Sequence, residues 1–274
     1  MKKQLQKIAN CYLQSFASDG KTPSISMLWA CLAFICLLQI PASFFLESFS
    51  ISFAIIFNEL LVIAGIPVLI VSWQKIDRNN IFPVHNPGLK MFLLLFALTL
   101  SADVIIDYLT SASELLFPLP ETHAKSLERI MEVGSAGEFV KKTFLLCLIP
   151  GICEEIFFRG FCQTTLSRKH GANKAIIITG LLFALLHGNP WYFHLYFLLG
   201  IWFSWLYAIS GNLALPITCH VLNNFWTLTN NHLGNTFPQN SFTDKFDLSI
   251  IICSLALLYW SIKKIRQQSY ESSS

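Results

Sequence analysis

Long runs of apolar residues are the feature that most constrains how this chain can fold. Several runs reach the roughly 20 residues that a helix needs to cross the hydrocarbon core of a bilayer. We predict transmembrane helices over 27–46, 51–73, 91–110, 142–166, 174–190, 191–209, 212–231 and 247–262. Helices are expected because lipid offers no partner for unpaired backbone groups and the alternating pattern of barrel strands is absent. The sequence therefore predicts an all-α, polytopic transmembrane bundle of about eight helices.

The composition agrees with a chain that is embedded in lipid. Of its 274 residues 54% are hydrophobic and 13% are charged, whereas soluble domains carry about 25% charged residues. The net charge of +3 gives no reason to expect a nucleic-acid partner. We expect one integral membrane domain over residues 1–274, surrounded by the lipid bilayer, and its oligomeric state is left open.

Lysine and arginine residues predict the orientation, because connections on the cytoplasmic side carry an excess of them. They lie before the first predicted helix, in the second-to-third and fourth-to-fifth connections, and after the last helix. These residues are Lys2, Lys3, Lys7, Lys21, Lys75, Arg78, Lys90, Arg168, Lys169, Lys174, Lys263, Lys264 and Arg266. The connections at 47–50 and 188–190 hold none. We predict a multi-pass protein of the cytoplasmic cell membrane, with both termini in the cytoplasm and the 111–141 connection outside.

Two local patterns refine this arrangement. Within the 111–141 connection, the mixture of apolar and charged residues over 121–134 suits a short amphipathic helix, and a solvated loop is an equal alternative. Pro150 and Pro216 lie inside the fourth and seventh predicted helices. Each proline removes a helical hydrogen bond, so we expect a kink at each position.

Charged residues stand inside the fourth predicted helix, where each costs about 2.5–3.5 kcal/mol to insert. Glu155 and Arg159 are four residues apart and can form an intrahelical pair. Glu154 points about 100° away around the helix, so this pairing does not account for it.

Polar residues on two further predicted helices reach a similar depth. Counted from the cytoplasmic ends, Glu154, His187 and Asn224 lie about 20 Å deep, and His220 lies about 12 Å deep. A carboxylate beside a neutral imidazole can activate a water molecule as a general base, and a second histidine with an asparagine can donate hydrogen bonds to an oxyanion. No serine or cysteine has an evident partner at this depth, so attack by water, driven by a glutamate, fits best.

These residues also carry a resemblance to a known family. The chain resembles the CPBP family, which includes the type II CAAX prenyl endopeptidases and the bacterial Abi proteins and is marked by EExxxR, FxxxH and HxxxN on three transmembrane helices. The matching residues are Glu154, Glu155 and Arg159, then Phe183 and His187, then His220 and Asn224. The resembling core covers about residues 140–230, and we expect it to be the catalytic core.

The resemblance implies a glutamic-type intramembrane endopeptidase. By this analogy Glu154 activates the attacking water with help from His187, and His220 and Asn224 stabilise the oxyanion. Glu155 and Arg159 would support the site. The prenyl-cysteine specificity does not carry over, so the expected partner is a membrane-associated peptide or protein substrate, with or without a lipid.

A metal centre is one alternative. Glu154, His187 and His220 are residue types that could supply three ligands of a zinc site. The HExxH pairing of metalloproteases is absent, and the resemblance also points away from a metal. We expect neither a metal nor another cofactor.

Two alternatives of other functional classes remain open. One is a non-catalytic membrane scaffold or bacteriocin-immunity factor on the same fold. The other is an ion-coupled transporter, in which Asp103, Asp107, Asn58 and Glu59 would line a proton path. No inverted repeat accompanies these acids, so we expect them instead to face the outer vestibule or to pair with neighbouring donors.

Overall fold

The computed structural model describes residues 21–46, 50–233 and 248–271, which form helices and short connections with no strand among them. The helices are α1 (Ile25–Leu46), α2 (Ile51–Trp73), α3 (Arg78–Ile81), α4 (Gly88–Leu116), α5 (Glu121–Met131), α6 (136–170), α7 (Ala172–Leu186), α8 (Phe193–Ser210), α9 (Ala214–His232) and α10 (Leu248–Glu271). Each predicted transmembrane segment falls on one of the longer helices, so the all-α bundle is confirmed. Lys2, Lys3 and Lys7 lie outside the described residues.

Helix length and composition identify the chain as a membrane protein. Four of the described helices are long and apolar enough to cross a bilayer, namely Ile51–Trp73, Gly88–Leu116, Phe193–Ser210 and Leu248–Gln268. Ile25–Gln39 and Ala172–Leu186 are apolar but shorter. The fifteen residues of α7 extend about 22 Å, less than the roughly 30 Å of the hydrocarbon core. In α6 and α9, the polar residues discussed below interrupt the apolar run.

Helix α6 is continuous, but its hydrogen-bonding pattern changes along its length. The α-helical segment Ile149–Glu155 is flanked by wider π-helical stretches, Thr143–Leu148 and Ile156–Gln163. Pro150 directly follows the first stretch, and its missing N–H and its ring disturb the ladder of the preceding turn. The disturbance expected at Pro150 therefore takes the form of a widened helix. π-Helical turns of this kind are frequent at functional sites.

The interruption that we predicted at Pro216 is wrong. Helix α9 begins at Ala214, so Pro216 lies in its first turn. Backbone N–H groups in the first turn have no intrahelical partner, so a proline there breaks no helical bond.

Helix α6 lies at the centre of the bundle, in contact with α2, α7, α8 and α9. Glycines permit the closest approaches. A Cβ added at Gly200 of α8 would lie 2.8 Å from the Cα of Gly180 of α7. A Cβ added at Gly151 of α6 would lie 2.6 Å from Cγ2 and 3.1 Å from the backbone nitrogen of Val221 of α9. On its other side α9 packs against α4, which in turn packs against α10.

Contacts between connections bring them together at two places in the bundle. At one end, the side chain of Asn212 accepts a hydrogen bond from the backbone nitrogen of His85 at 2.9 Å and donates one to the His85 carbonyl at 2.8 Å. At the other end, the Tyr192 hydroxyl donates to Glu114 at 2.5 Å, and the ring of Trp191 lies 4.6 Å from that of His123 in α5. The helical alternative for the 121–134 segment is thus confirmed as Glu121–Met131.

Candidate active site

The centre of the bundle contains a sealed ionic network between α6 and α9. Nη1 of Arg159 donates to Oε1 of Glu155 at 2.6 Å, and both side chains are fully buried. Nδ1 of His220 lies 2.8 Å from the same carboxylate oxygen, with 4% of its side chain exposed. The predicted pairing of Glu155 with Arg159 is confirmed, and the structure adds His220 to it.

Arg159 has further partners that satisfy its buried charge. Its Nη2 donates to the carbonyl oxygen of Gly200 at 3.0 Å. Its guanidinium carbon lies 4.8 Å from the ring centroid of Phe183 and 5.3 Å from that of Phe203. Cations over aromatic faces are attracted by the ring quadrupole, most strongly where water is excluded. Arg159 thereby joins α6 to α7 and α8 around the site.

Glu154 and His187 form a second pair, whose side chains are partly exposed although Oε2 of Glu154 itself is buried. Oε2 of Glu154 lies 4.0 Å from Nε2 of His187, and the two side chains are 16% and 22% exposed. Oε2 of Glu154 has no hydrogen-bond partner among the described residues. A distance of 4.0 Å is too long for a direct hydrogen bond and leaves the two atoms able to share a small molecule between them.

Two contacts fix the ring of His187. Its Nδ1 lies 2.7 Å from the carbonyl oxygen of Phe183, one turn earlier. Because a carbonyl only accepts, Nδ1 carries the hydrogen, and in the neutral ring Nε2 has a free lone pair directed to Glu154. The ring of Tyr196 stacks on that of His187, with centroids 4.0 Å apart and planes 28° apart.

Five of the six predicted site residues are therefore distributed over two neighbouring groups. Glu154 lies with His187, whereas Glu155, Arg159 and His220 lie together behind them. Asn224 is half-buried one turn after His220 and makes no hydrogen bond to the other five predicted residues in the described part of the chain. His187 lies just beyond the end of α7 at Leu186, not inside a helix as predicted, because the chain turns there at Gly188-Asn189-Pro190.

Sequence reasoning did not assign two residues to this site. Tyr196 stacks on His187 and interacts electrostatically with Glu154, and Glu59 of α2 also interacts with Glu154 through its buried carboxylate. The sequence places Glu59 only on the proton path of the transporter alternative. Its position inside an apolar segment is the one feature that could have indicated a role in this site. Tyr196 offered no signal, because aromatic residues are common in such helices.

The remaining intramembrane acids pair with donors on α9. Oδ1 of Asp103 accepts from Nδ2 of Asn223 at 2.6 Å. Oδ2 of Asp107 accepts from Nε1 of Trp226 at 2.8 Å and from Nδ2 of Asn230 at 3.1 Å. The expected pairing with neighbouring donors is confirmed. Both acids are engaged in joining α4 to α9.

The donor set does not form a metal cage. Among the described residues, no group of three or more His, Cys, Asp or Glu side chains is arranged to hold a metal ion. Nδ1 of His220 faces Glu155, and Nδ1 of His187 faces a carbonyl, so each ring has one nitrogen already engaged.

The fold and this geometry define a helical membrane protein with a partly exposed carboxylate–imidazole pair in front of a sealed ionic network. Residues 137–226, which span α6 to α9, match the family described as type II CAAX prenyl endopeptidase Rce1-like. This matching segment is about a third of the chain, and through it the protein is similar to that family. Comparisons with curated proteins and with solved structures find no match.

Proposed function

We propose that the protein is a glutamic-type intramembrane endopeptidase that hydrolyses a peptide bond in a membrane-associated peptide or protein. The observation that carries the proposal is the separation of 4.0 Å between Glu154 and His187, both partly exposed within an otherwise buried bundle. The match of this segment to a protease family gives independent support.

Glu154 is the proposed general base. A water molecule that bridges Oε2 of Glu154 and Nε2 of His187 would donate a hydrogen bond to each, because both atoms are acceptors. The water oxygen attacks the carbonyl carbon of the substrate while one proton passes to the Glu154 carboxylate. As the carbon–nitrogen bond breaks, the same proton passes to the leaving amine.

His220 and Asn224 are the proposed oxyanion donors. Glu155 is paired with Arg159 and acts as an acceptor, so Nδ1 of His220 carries a hydrogen. In the imidazolium form of His220, Nε2 also carries a hydrogen and can donate a hydrogen bond to the negative oxygen that develops in the transition state. Asn224 would present its amide on the same side of α9.

Glu155 and Arg159 are proposed to hold this arrangement rather than to touch the substrate. Both are fully buried behind the partly exposed pair, and Glu155 orients His220 directly. This follows the usual pattern in which a catalytic imidazole is oriented by a carboxylate that does not itself react.

Glu154→Gln in the full-length protein, reconstituted into vesicles, tests the proposal. We would offer C-terminal membrane peptides, prenylated and unmodified, in water enriched in oxygen-18 and analyse the products by mass spectrometry. Water attack places one heavy oxygen in each new carboxyl terminus. We expect the variant to lose at least about 100-fold in rate, because general bases contribute about 10²- to 10⁴-fold. Glu138→Gln, which changes a partly exposed glutamate in the first turn of the same helix, is the matched control and should cleave normally.

A non-catalytic scaffold predicts a different result. No peptide would acquire heavy oxygen with the wild-type protein, or Glu154→Gln would leave product formation unchanged. Either outcome would reject the proposed hydrolysis. A cleavage that depends on Glu154 would leave the scaffold alternative without support.

A further inference from the structure

A groove on the side of the bundle lies away from the candidate active site, between α4, α8 and α10. Its volume is about 410 Å³, and its walls are almost entirely apolar, with Leu98 and Ala102 on one side and Trp202 on the other. Helix α10 packs along α4, whereas α8 makes few contacts with either of them, so the three helices leave this groove between them.

One end of the groove is positively charged. Arg266 is the one charged residue among the described residues that line it. The guanidinium carbon of Arg266 lies 5.3 Å from the ring centroid of Trp205, and its Nε is buried with no hydrogen-bond partner in the described part of the chain. Lys263 and Lys264 are exposed on the preceding turn of α10. An anionic group at this end would meet the positive charge of a guanidinium that lies against the Trp205 ring.

The position of Arg266 along the bundle also fits a lipid headgroup. Trp205 lies near the end of α8 that leads to Asn212, which contacts the connection before α4. This is the end where most of the basic residues are found. Tryptophan and arginine side chains are typical of the membrane interface, and basic pockets between transmembrane helices bind anionic headgroups.

From these observations we infer that the groove is a binding site for one anionic phospholipid, with an acyl chain along α4 and α8 and the phosphate on Arg266. A peptide segment fits less well, because its backbone groups would find almost no hydrogen-bond partners on these walls. The inference is independent of the proposed hydrolysis, since none of these residues belongs to the candidate active site.

Native mass spectrometry of the full-length protein tests this site. The protein, released from detergent micelles, would be titrated with dioleoyl phosphatidylglycerol and separately with dioleoyl phosphatidylcholine. We expect one tightly bound phosphatidylglycerol and a weaker affinity for phosphatidylcholine. Arg266→Gln should lower the affinity for phosphatidylglycerol roughly fivefold, since a basic side chain near a charged membrane surface contributes about that factor.

Lys264→Gln is the matched control, because it removes an equal charge two residues from Arg266, at an exposed position that does not line the groove. It should retain the wild-type preference. Ala102→Phe, which fills the apolar wall, should weaken binding of both lipids. Equal losses in Arg266→Gln and Lys264→Gln, no stoichiometric lipid in the wild type, or a protein dimer in place of the lipid would each overturn the assignment.

Discussion

Arg159 shows how a single buried charge can organise a membrane protein. Its guanidinium is fully buried and is held by Glu155, the Gly200 carbonyl and the surrounding phenylalanine rings. A charge in this position is tolerated only because it is compensated, so loss of either partner leaves the other uncompensated. Glu155 and Arg159 are therefore coupled in stability.

Arg159→Met tests this coupling. We expect it to lower the free energy of unfolding by about 3–5 kcal/mol, because it leaves the Glu155 carboxylate buried and without its cation. The double variant Glu155→Gln with Arg159→Met should lose less than the sum of the two single variants. Unfolding of each variant in mixed micelles, followed by circular dichroism, measures the cycle. Strictly additive losses would contradict the coupling.

Tyr196 is expected to position His187 through its ring. The two rings are stacked 4.0 Å apart, and a misplaced catalytic group can lower a rate roughly 100-fold. Tyr196→Phe keeps the stacking face and should cleave at close to the wild-type rate. Tyr196→Ala removes the face and should lose roughly 10- to 100-fold in the oxygen-18 assay. If Tyr196→Phe were as inactive as Tyr196→Ala, the hydroxyl rather than the stack would be the important feature.

At the scale of the helix, the contact between α6 and α9 determines how closely Glu155 approaches His220. That contact is possible because Gly151 has no side chain where Val221 crosses it. The two histidine-facing glutamates follow Gly151 by about one turn, so any separation of the helices there is transmitted to the site.

Gly151→Ala is expected to separate α6 from α9. The added Cβ would lie 3.1 Å from the Val221 backbone nitrogen, and backbone cannot move aside as a side-chain tip can. We expect a loss of about 1–3 kcal/mol in the free energy of unfolding and a reduced cleavage rate. Gly137→Ala on the same helix meets nothing within 4 Å and is the control. It should be neutral or slightly stabilising, since alanine favours helix more than glycine. Equal effects of the two variants would show that the close approach is unimportant.

The elements were largely predictable from the sequence, whereas the hydrogen-bonding pattern within them was not. Apolar runs located the long helices because lipid requires such runs. The π-helical stretches of α6, and a further one at Phe57–Gly65 in α2, could not be foreseen, since apolar periodicity does not report the register of backbone bonds. The position of Pro216 was misjudged for a related reason: the apolar run continues before the helix begins, and only the backbone shows that α9 starts at Ala214.

Some of the residues that meet in the candidate site could be selected from the sequence, but the contacts between them could not. Charged residues inside apolar helices are conspicuous, so Glu154, Glu155 and Arg159 could be selected from the sequence. That His220 faces Glu155 depends on the tertiary crossing of α6 and α9. The approach of Glu59 from α2 to Glu154 also depends on tertiary structure, because residue spacing within one helix does not encode a contact between two helices.

At the scale of the whole molecule, the contacts between connections can be compared with the positions of the basic residues along the bundle. The Asn212 connection contacts the connection near Arg78 and Lys90, and the Tyr192 connection contacts the acidic end of α4. Connections of this length that are rich in lysine and arginine usually face the cytoplasm. If the basic end of the bundle does so, the direction in which every helix crosses the membrane is determined. The site then opens in the half of the bundle nearer the opposite end, because His187 follows α7.

Single cysteines at the two ends of α7 test this orientation. Lys169 and Pro190 are exposed and lie before and after the helix. We would introduce Lys169→Cys or Pro190→Cys after replacing Cys11, Cys36 and Cys253 with serine. The other cysteines are buried and should not react. A thiol reagent that cannot cross membranes should label Pro190→Cys in intact cells, and Lys169→Cys only after the membrane is opened. Labelling of both from the outside would mean that α7 does not separate the two compartments, and the predicted orientation would be wrong.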